Sequence, residues 1–135
     1  MEGFDVSAYE LADTATFNLK NAARTDELVG ADGVNPITVE IYSPGSPQGV
    51  RALHKSSRSA QMRLYRSLRG EVDAKDAEAA ERENVEKLAS FTKSITNWPV
   101  SPADTYANPR LLHFRQQVEE EIGKLGNFSK GSSAG

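Results

Sequence analysis

Hydrophobic and polar residues alternate in two short segments in the first third of the chain. In Ala15–Leu19 the apolar residues fall at every second position, and Ile37–Tyr42 alternates in the same way. Successive side chains of a strand point to opposite faces, so this period of two predicts two strands, each with one buried face. Residues 21–35 between them are polar and contain the turn-forming pair Asp32-Gly33. We therefore predict an antiparallel hairpin with a long loop, which must pack on helices or on another subunit because two strands alone are marginal in water.

The apolar spacing changes to three and four residues after Ser43-Pro44. Ser46 and Pro47 form a helix start signal, an N-cap hydroxyl followed by proline at the first helical position. The apolar positions that follow are Val50, Leu53, Ser57, Ala60, Leu64 and Leu68. With 3.6 residues per turn, they predict a single apolar stripe on a helix of about six turns. Gly70 ends or breaks this helix.

Two further helices are predicted in the second half of the chain. Residues 71–98 are rich in alanine and read as a continuous helix. Its buried stripe consists of Leu88, Phe91, Ile95 and Trp98, and Pro99 and Pro102 stop it. Asn108-Pro109 then predicts the start of a last helix that ends at Gly126-Asn127. The apolar face of that helix consists of Leu111, Leu112, Val118, Ile122 and Leu125.

These elements predict an α+β fold that is mostly α, with a short N-terminal β-hairpin packed on about three helices. The 135 residues are enough for one domain with a single core. We predict that this domain spans residues 1–128, extended and β-rich over 1–46 and helical over 47–128. The Gly/Ser-rich residues 129–135 are predicted to form a flexible tail.

Composition narrows the class of protein. The chain has no cysteine, which excludes disulfides, thiolate metal sites and a cysteine nucleophile. Its first residues lack the basic and apolar regions of a signal peptide, and no apolar run approaches the roughly 20 residues that span a bilayer. The formal net charge of −3 argues against a general polyanion binder. We expect a soluble intracellular protein that does not bind a membrane.

The side chains that usually carry chemistry form no recognisable pattern. His54 and His113 have no second metal ligand three or four residues away, and we expect both to be structural or solvated. The glycines Gly30 and Gly33 precede a strand rather than a helix, which does not fit a phosphate-binding loop. The sequence therefore predicts no catalytic residue, no cofactor and no metal site, and we do not expect an enzyme.

Charge is distributed in two blocks. The basic block contains Arg51, Lys55, Arg58, Arg63, Arg66 and Arg69 without an acid among them. The acidic block contains Glu71, Asp73, Asp76, Glu78, Glu81, Glu83 and Glu86 against Lys75 and Arg82. The basic block has three interpretations: a surface for nucleic acid or an acidic partner, an antiparallel packing of the two helices about Gly70, or a contact between subunits. We favour the antiparallel packing, because the acidic half would repel DNA.

Two aromatic residues have both a structural and a functional interpretation. Trp98 continues the apolar stripe of its helix, which favours a core position over an exposed contact with a partner. Phe128 follows Gly126-Asn127 and precedes the polar tail, so it is either a staple on the core or an exposed anchor.

The order of the motifs resembles the tail assembly chaperones of long-tailed bacteriophages. Residues 37–46 resemble that family's strand leading to the start of an arginine-rich helix, and residues 88–98 resemble its helix ending in I-x-x-W. Asn108–Leu112 resembles the N-x-x-L-L start of its last helix, and Asn127-Phe128 resembles its N-F terminus. The resemblance covers roughly residues 15–130. The connection over residues 100–106 departs from the family's glycine-containing F-x-G segment.

The resemblance implies a function in viral morphogenesis. Such chaperones bind the long, helical and hydrophobic tape measure protein, keep it soluble in the host cytoplasm before the tail polymerises, and are absent from the finished virion. It also implies a homo-oligomer and a longer frameshifted form of the same chain. The alternatives are a structural virion component, such as a tail or connector protein, and a small nucleic-acid-binding regulator that uses Arg51–Arg69.

The predicted partner-binding surface combines residues of the basic block with the apolar stripe of the following helix. It consists of Arg58, Arg63, Arg66, Leu88, Phe91, Ile95, Trp98 and Phe128.

Overall fold

The computed structural model describes residues 6–70 and 75–129. These residues form three strands, β1 (Thr14–Asn18), β2 (Thr38–Tyr42) and β3 (Thr92–Thr96). They also form four α-helices, α1 (Pro47–Leu68), α2 (Lys75–Phe91), α3 (Pro102–Ala107) and α4 (Leu112–Gly123). Short 3-10 helices cover Val6–Tyr9, Pro109–Leu111 and Leu125–Phe128. The predicted fold class, α+β and mostly α, is confirmed.

The predicted hairpin is present. Strands β1 and β2 pair antiparallel, with Ala15 opposite Ile41 and Phe17 opposite Val39. Val39 and Ile41 are fully buried, and Ala15 and Phe17 pack against the same core from the neighbouring strand. The alternation in the sequence therefore gave the correct inward face for both strands.

The third strand corrects the sequence prediction of a helix through Trp98. The helix ends at Phe91, and the next five residues pair antiparallel with β2, placing Ile95 opposite Val39. The Thr92 hydroxyl donates to the carbonyl oxygen of Leu88 at 2.9 Å, at the point where the chain leaves the helix. Apolar residues at Phe91 and Ile95 have helical spacing, but the free edge of β2 and the β-branched residues of this segment favour a strand.

Helix α3 lies in the connection between Trp98 and Asn108, where the sequence analysis placed no helix. Its N-cap is Ser101, whose side chain accepts a hydrogen bond from the backbone N–H of Asp104 at 3.2 Å. Pro102 occupies the first helical position. Helix α3 brings Tyr106, which is 2 % exposed, into the core.

The Tyr106 hydroxyl is hydrogen-bonded inside the protein. It lies 2.7 Å from the hydroxyl of Thr92, and since the Thr92 proton is directed to Leu88, Tyr106 is the donor. Burial raises the pKa of Tyr106 from 10.0 to about 12, because the charged phenolate would lose its hydration. Tyr106 therefore stays neutral in the folded protein at pH values where an exposed tyrosine ionises.

This pKa shift predicts that stability falls in alkali. Above pH 10.0 the unfolded chain releases the Tyr106 proton while the folded chain keeps it until about pH 12, so ionisation favours unfolding in that window. Relative to Tyr106→Phe, the free energy of unfolding should fall by up to about 1.4 kcal/mol per pH unit across it. Urea unfolding at a series of pH values measures this difference. Parallel pH profiles for the two proteins would contradict the assignment.

A buried glutamine joins helix α4 to the backbone that follows strand β1. The side-chain oxygen of Gln117 accepts from the backbone N–H of Lys20 at 2.8 Å, and its amide donates to the Lys20 carbonyl at 2.8 Å. Asn108 was predicted as the N-cap of this helix, but it caps the preceding 3-10 turn by accepting from the N–H of Arg110. On the predicted apolar face, Val118 is buried, whereas Leu112 and Leu125 are exposed.

One core joins the sheet to α2, α3, α4 and the C-terminal 3-10 helix. Its buried members are Leu19, Ile37, Val39, Ile41, Val85, Leu88, Tyr106, Phe114, Val118 and Phe128. Ser129, the first residue of the predicted flexible tail, forms an isolated bridge with Leu11. Residues 130–135 of that tail lie outside the described residues. In the described ranges, no helix combines the length and apolar character needed to cross a bilayer.

Candidate functional site: the outward face of α1

Helix α1 carries two parallel rows of residues, each with spacings of three and four. The inner seam contains Gly49, Ala52, Ser56, Ser59 and Arg63, all buried or half-buried. The outer seam contains Val50, Leu53, Ser57, Ala60, Leu64 and Leu68, and its apolar members Val50, Leu53, Leu64 and Leu68 are 40, 43, 61 and 78 % exposed. The two rows differ by one residue, or about 100° around the helix. Helix α1 therefore packs through its small and polar row and leaves its apolar row uncovered.

The inner seam packs on α2. A narrow space separates the two helices. It is lined on α1 by Ala52, Ser56 and Ser59 and on α2 by Glu83, Glu86, Lys87 and Ser90. Closer to the C-terminal end of α1, Arg63 forms an ion pair with Glu83 of α2. Leu53, near the start of α1, shares a cleft with Phe91 at the end of α2, whereas Arg63 pairs with Glu83 nearer the middle of α2, so the helices are antiparallel.

The sequence predicted antiparallel helices with the basic block against the acidic block. The direction is as predicted, and Arg63–Glu83 is an ion pair between the two blocks, but Arg51, Lys55 and Arg58 are exposed. Residues 71–74 of the acidic block lie outside the described residues.

A basic face begins at Arg58, on the solvent side of the outer seam, and extends around α1 to the side opposite that seam. Lys55, Arg58, Met62 and Arg66 line a shallow cleft there together with the Arg63–Glu83 pair. Helix α1 contains no acidic residue. The charged side chains of α1 itself are therefore all basic, whereas Glu83 and Glu86 of α2 lie beside them and the formal net charge of the whole chain is −3.

Leu53 of the outer seam borders an open cleft of about 420 Å³. The cleft is lined by Pro44, Leu53, Asn84, Lys87, Leu88, Phe91, Glu119 and Ile122. These residues come from the start of α1, from α2 and from α4. The cleft meets the outer seam at Leu53, and its lining is mixed, with Asn84, Lys87 and Glu119 among the apolar residues.

The wall formed by α4 is tied to α2 by polar contacts. Arg115 forms a two-pronged ion pair with Glu81, and Asn84 donates to Glu119 at 3.2 Å. The hydrogen bonds from Arg115 lower the pKa of the Glu81 carboxyl. The α2 and α4 sides of the cleft are therefore held in a defined relative position.

The structure brings only part of the predicted partner-binding set together. Arg58 and Arg66 are exposed on α1, whereas Arg63 forms an ion pair with Glu83. Leu88 and Phe91 are each 2 % exposed and lie at the floor of the cleft, where the core supports them. Ile95 is half-buried in β3, away from these residues along the sheet.

Trp98 and Phe128 contribute to the fold. The Trp98 indole N–H donates to the Thr105 hydroxyl at 2.8 Å, and its ring meets Phe114 edge to face at 5.2 Å between centroids. Phe128 is 0 % exposed, as expected of a staple on the core. Both residues were predicted to bind a partner. In the structure Phe128 has no exposed surface for such a contact, and the Trp98 ring is half-buried.

The exposure of the outer seam was not predicted from the sequence. Its residues were identified as an apolar stripe, but the predicted binding surface was placed on basic residues and on the α2 stripe. The second row, from Gly49 to Arg63, was a signal in the sequence that a different face of α1 packs on the protein. It has the same spacing, and most of its side chains are small enough to permit close helix packing.

Histidine and acidic side chains would have to lie together to meet the requirements of a metal site. In the part of the chain that the structure describes, no group of three or more histidine, cysteine, aspartate or glutamate side chains is placed to hold a metal ion. His113 packs edge to face on Phe114. In comparisons with known proteins, no family model, no curated protein and no solved structure matches this chain.

Proposed function

We propose that this chain is a non-catalytic binding protein that acts as a tail assembly chaperone of a long-tailed bacteriophage. It binds the tape measure protein in the host cytoplasm, keeps it soluble until the tail polymerises and does not remain in the virion. The order of motifs over roughly residues 15–130 suggests the family. The observation that carries the proposal is the uncovered outer seam of α1, with the cleft beside it.

The geometry of this surface suits a helical ligand. A surface helix normally buries its apolar row, whereas α1 exposes four large apolar residues along one line. A helix-binding surface presents apolar positions at spacings of three and four, so that a second amphipathic helix can lie along it. A tape measure protein that is largely helical and hydrophobic would offer such helices repeatedly.

Repeated binding sites on one long ligand also give a reason for oligomers. Several copies of this chain bound along the same tape measure protein would act with avidity, because each bound copy raises the effective concentration of its neighbours. The proposal includes the homo-oligomer and the longer frameshifted form, in which a second domain would follow the Gly/Ser-rich tail.

Co-expression tests this proposal. The partner is a tape measure protein of a long-tailed bacteriophage, produced with this chain or with an unrelated soluble protein of similar size. We expect this chain alone to raise the soluble fraction of the partner at least about threefold, because covering apolar helices prevents their aggregation. An equal soluble fraction in the two cultures would refute the chaperone function.

Mass spectrometry of purified virions separates the chaperone from a structural virion component. The chaperone function predicts that peptides of this chain are absent while those of the tape measure protein are abundant. Stoichiometric amounts of this chain in the virion would favour a tail or connector protein instead.

A further inference from the structure

The outer seam defines the size of the ligand that it can accept. From Val50 to Leu68 it extends for 18 residues, or about 27 Å at 1.5 Å per residue. Large residues lie near its two ends, whereas Ser57 and Ala60 lie at its centre. Small central side chains allow the axis of a second helix to approach closely, and the leucines at the ends can pack beside it. One helix of about five turns would cover the seam.

The charge of α1 restricts the sequence of that helix. On the solvent side of the seam, Arg51 and Arg58 lie about 80–100° around the helix from Val50, within reach of long side chains at the rim of a bound helix. On the cleft side, Lys87 provides a further basic group, and Glu119 provides an acidic one on the α4 wall. Because α1 has no acid to balance these charges, a ligand helix with acidic flanks would be attracted.

We infer that the outer seam binds an amphipathic helix of another protein whose apolar stripe is flanked by acidic residues. The inference rests on the proposed function, since it specifies which helices of the tape measure protein this chain holds. Its new content is the binding surface and the charge pattern of the ligand.

Other occupants of the seam fit less well. Two copies of this chain joined through their outer seams would place two helices without acidic residues side by side, which like charges oppose. An anionic membrane surface favours a broad apolar face, whereas this seam is one row wide and interrupted by Ser57 and Ala60. Nucleic acid would use the basic face and leave the seam uncovered.

Two designed peptides test the inference with the full chain. Both have about 21 residues with leucines at alternating spacings of three and four; one carries glutamate at the flanking positions and the other carries lysine. Binding is followed by the fluorescence anisotropy of a dye on each peptide. Since the net charge of the chain is −3, non-specific attraction would favour the lysine peptide. A preference for the glutamate peptide would therefore report the local field of α1.

We expect the glutamate peptide to bind about tenfold more tightly than the lysine peptide at ~0.1 M salt, and less than about threefold more tightly at ~1 M, where the screening length is ~3 Å. Replacing both Arg51 and Arg58 with glutamine should reduce the preference at low salt to about threefold or less.

Two neutral substitutions on the same helix locate the surface. Leu64→Gln removes an apolar residue of the outer seam that is 61 % exposed, and Met62→Gln removes one of equal exposure, 63 %, from the opposite side. We expect Leu64→Gln to weaken binding of the glutamate peptide by about tenfold and Met62→Gln to change it by less than about twofold. Circular dichroism and urea unfolding show whether each variant keeps its fold.

Several results would overturn the inference. They are equal binding of the two peptides, a preference for the lysine peptide, or equal effects of the two glutamine variants. Dimerisation that Leu64→Gln abolishes, or binding to phosphatidylserine vesicles or duplex DNA without peptide binding, would assign the surface to another occupant. If neither peptide binds and the tape measure protein is still solubilised on co-expression, the proposed binding surface is wrong while the proposed function stands. If the glutamate peptide binds as expected and co-expression has no effect, the proposed function is wrong instead.

Discussion

Replacing Phe128 with alanine should lower the free energy of unfolding by about 3–5 kcal/mol, as for other fully buried phenylalanines. Its side chain is 0 % exposed and belongs to the main core. The carbonyl of the same residue accepts a hydrogen bond from the N–H of Ala12 at 2.6 Å, which ties the C-terminal 3-10 helix to the start of β1. A loss of this size is a large fraction of the ~5–15 kcal/mol that stabilises a typical domain.

Leu125→Ala is the matched control, because Leu125 belongs to the same 3-10 helix and is 54 % exposed. We expect this variant to unfold within about 0.5 kcal/mol of the parent protein, as surface substitutions usually do. Urea unfolding followed by circular dichroism gives both values. If Phe128→Ala were as stable as Leu125→Ala, Phe128 would not be a staple of the core.

Replacing Gly49 with alanine should destabilise the protein by about 1–3 kcal/mol, through overpacking. Alanine normally stabilises a helix relative to glycine by about 1 kcal/mol, so the expected sign is the reverse of the intrinsic preference. A Cβ at this position would lie 2.1 Å from the Ser43 carbonyl oxygen and 3.0 Å from the Pro44 Cα. These are backbone atoms, so α1 would have to move relative to the end of β2.

Gly123→Ala provides the comparison for this substitution. Gly123 is the last residue of α4, and a Cβ there would meet no atom within 4 Å. We expect a neutral to slightly stabilising effect, up to about 1 kcal/mol. Equal effects of the two alanine substitutions in urea unfolding would show that α1 is not seated against the Ser43-Pro44 backbone as described.

Local signals in the sequence predicted much of the fold. The period of two gave the hairpin and its buried face, and Ser46-Pro47 gave the start of α1, where the Ser46 hydroxyl accepts from the N–H of Gly49 at 3.0 Å. The same signature recurs at Ser101-Pro102 and starts α3. That helix was predictable from the same rule that identified α1.

Other parts of the fold depended on tertiary context. The residues of β3 follow α2 directly, and the apolar spacing from Leu88 to Ile95 continues that of the helix. What made them a strand was the unpaired edge of β2, which the sequence of this segment does not reveal. The position of Phe128 likewise depends on residues far away in the sequence, since its carbonyl accepts a hydrogen bond from the N–H of Ala12.

The candidate site could be predicted only in part. The outer seam and the basic block were predictable from the sequence. However, two rows on α1 have the same spacing, and periodicity alone does not decide which row faces the protein. The neighbouring face of α2 presents Glu83, Glu86 and Ser90, which match the small and polar inner seam and the Arg63 side chain. The choice between the rows was therefore made by the partner helix.

The absence of cysteine in this chain allows a direct test of the outer seam. Single cysteines at Leu64→Cys and Met62→Cys would each be the unique thiol, at positions of equal exposure on opposite sides of α1. The measurement is the rate at which each thiol reacts with a maleimide, in the free chain and in its complex with the tape measure protein. We predict that the complex slows the reaction at position 64 by at least about tenfold and changes the rate at position 62 by less than about twofold, because only the first lies under the bound helix. Equal reaction rates at position 64 in the free chain and in the complex would contradict the central claim.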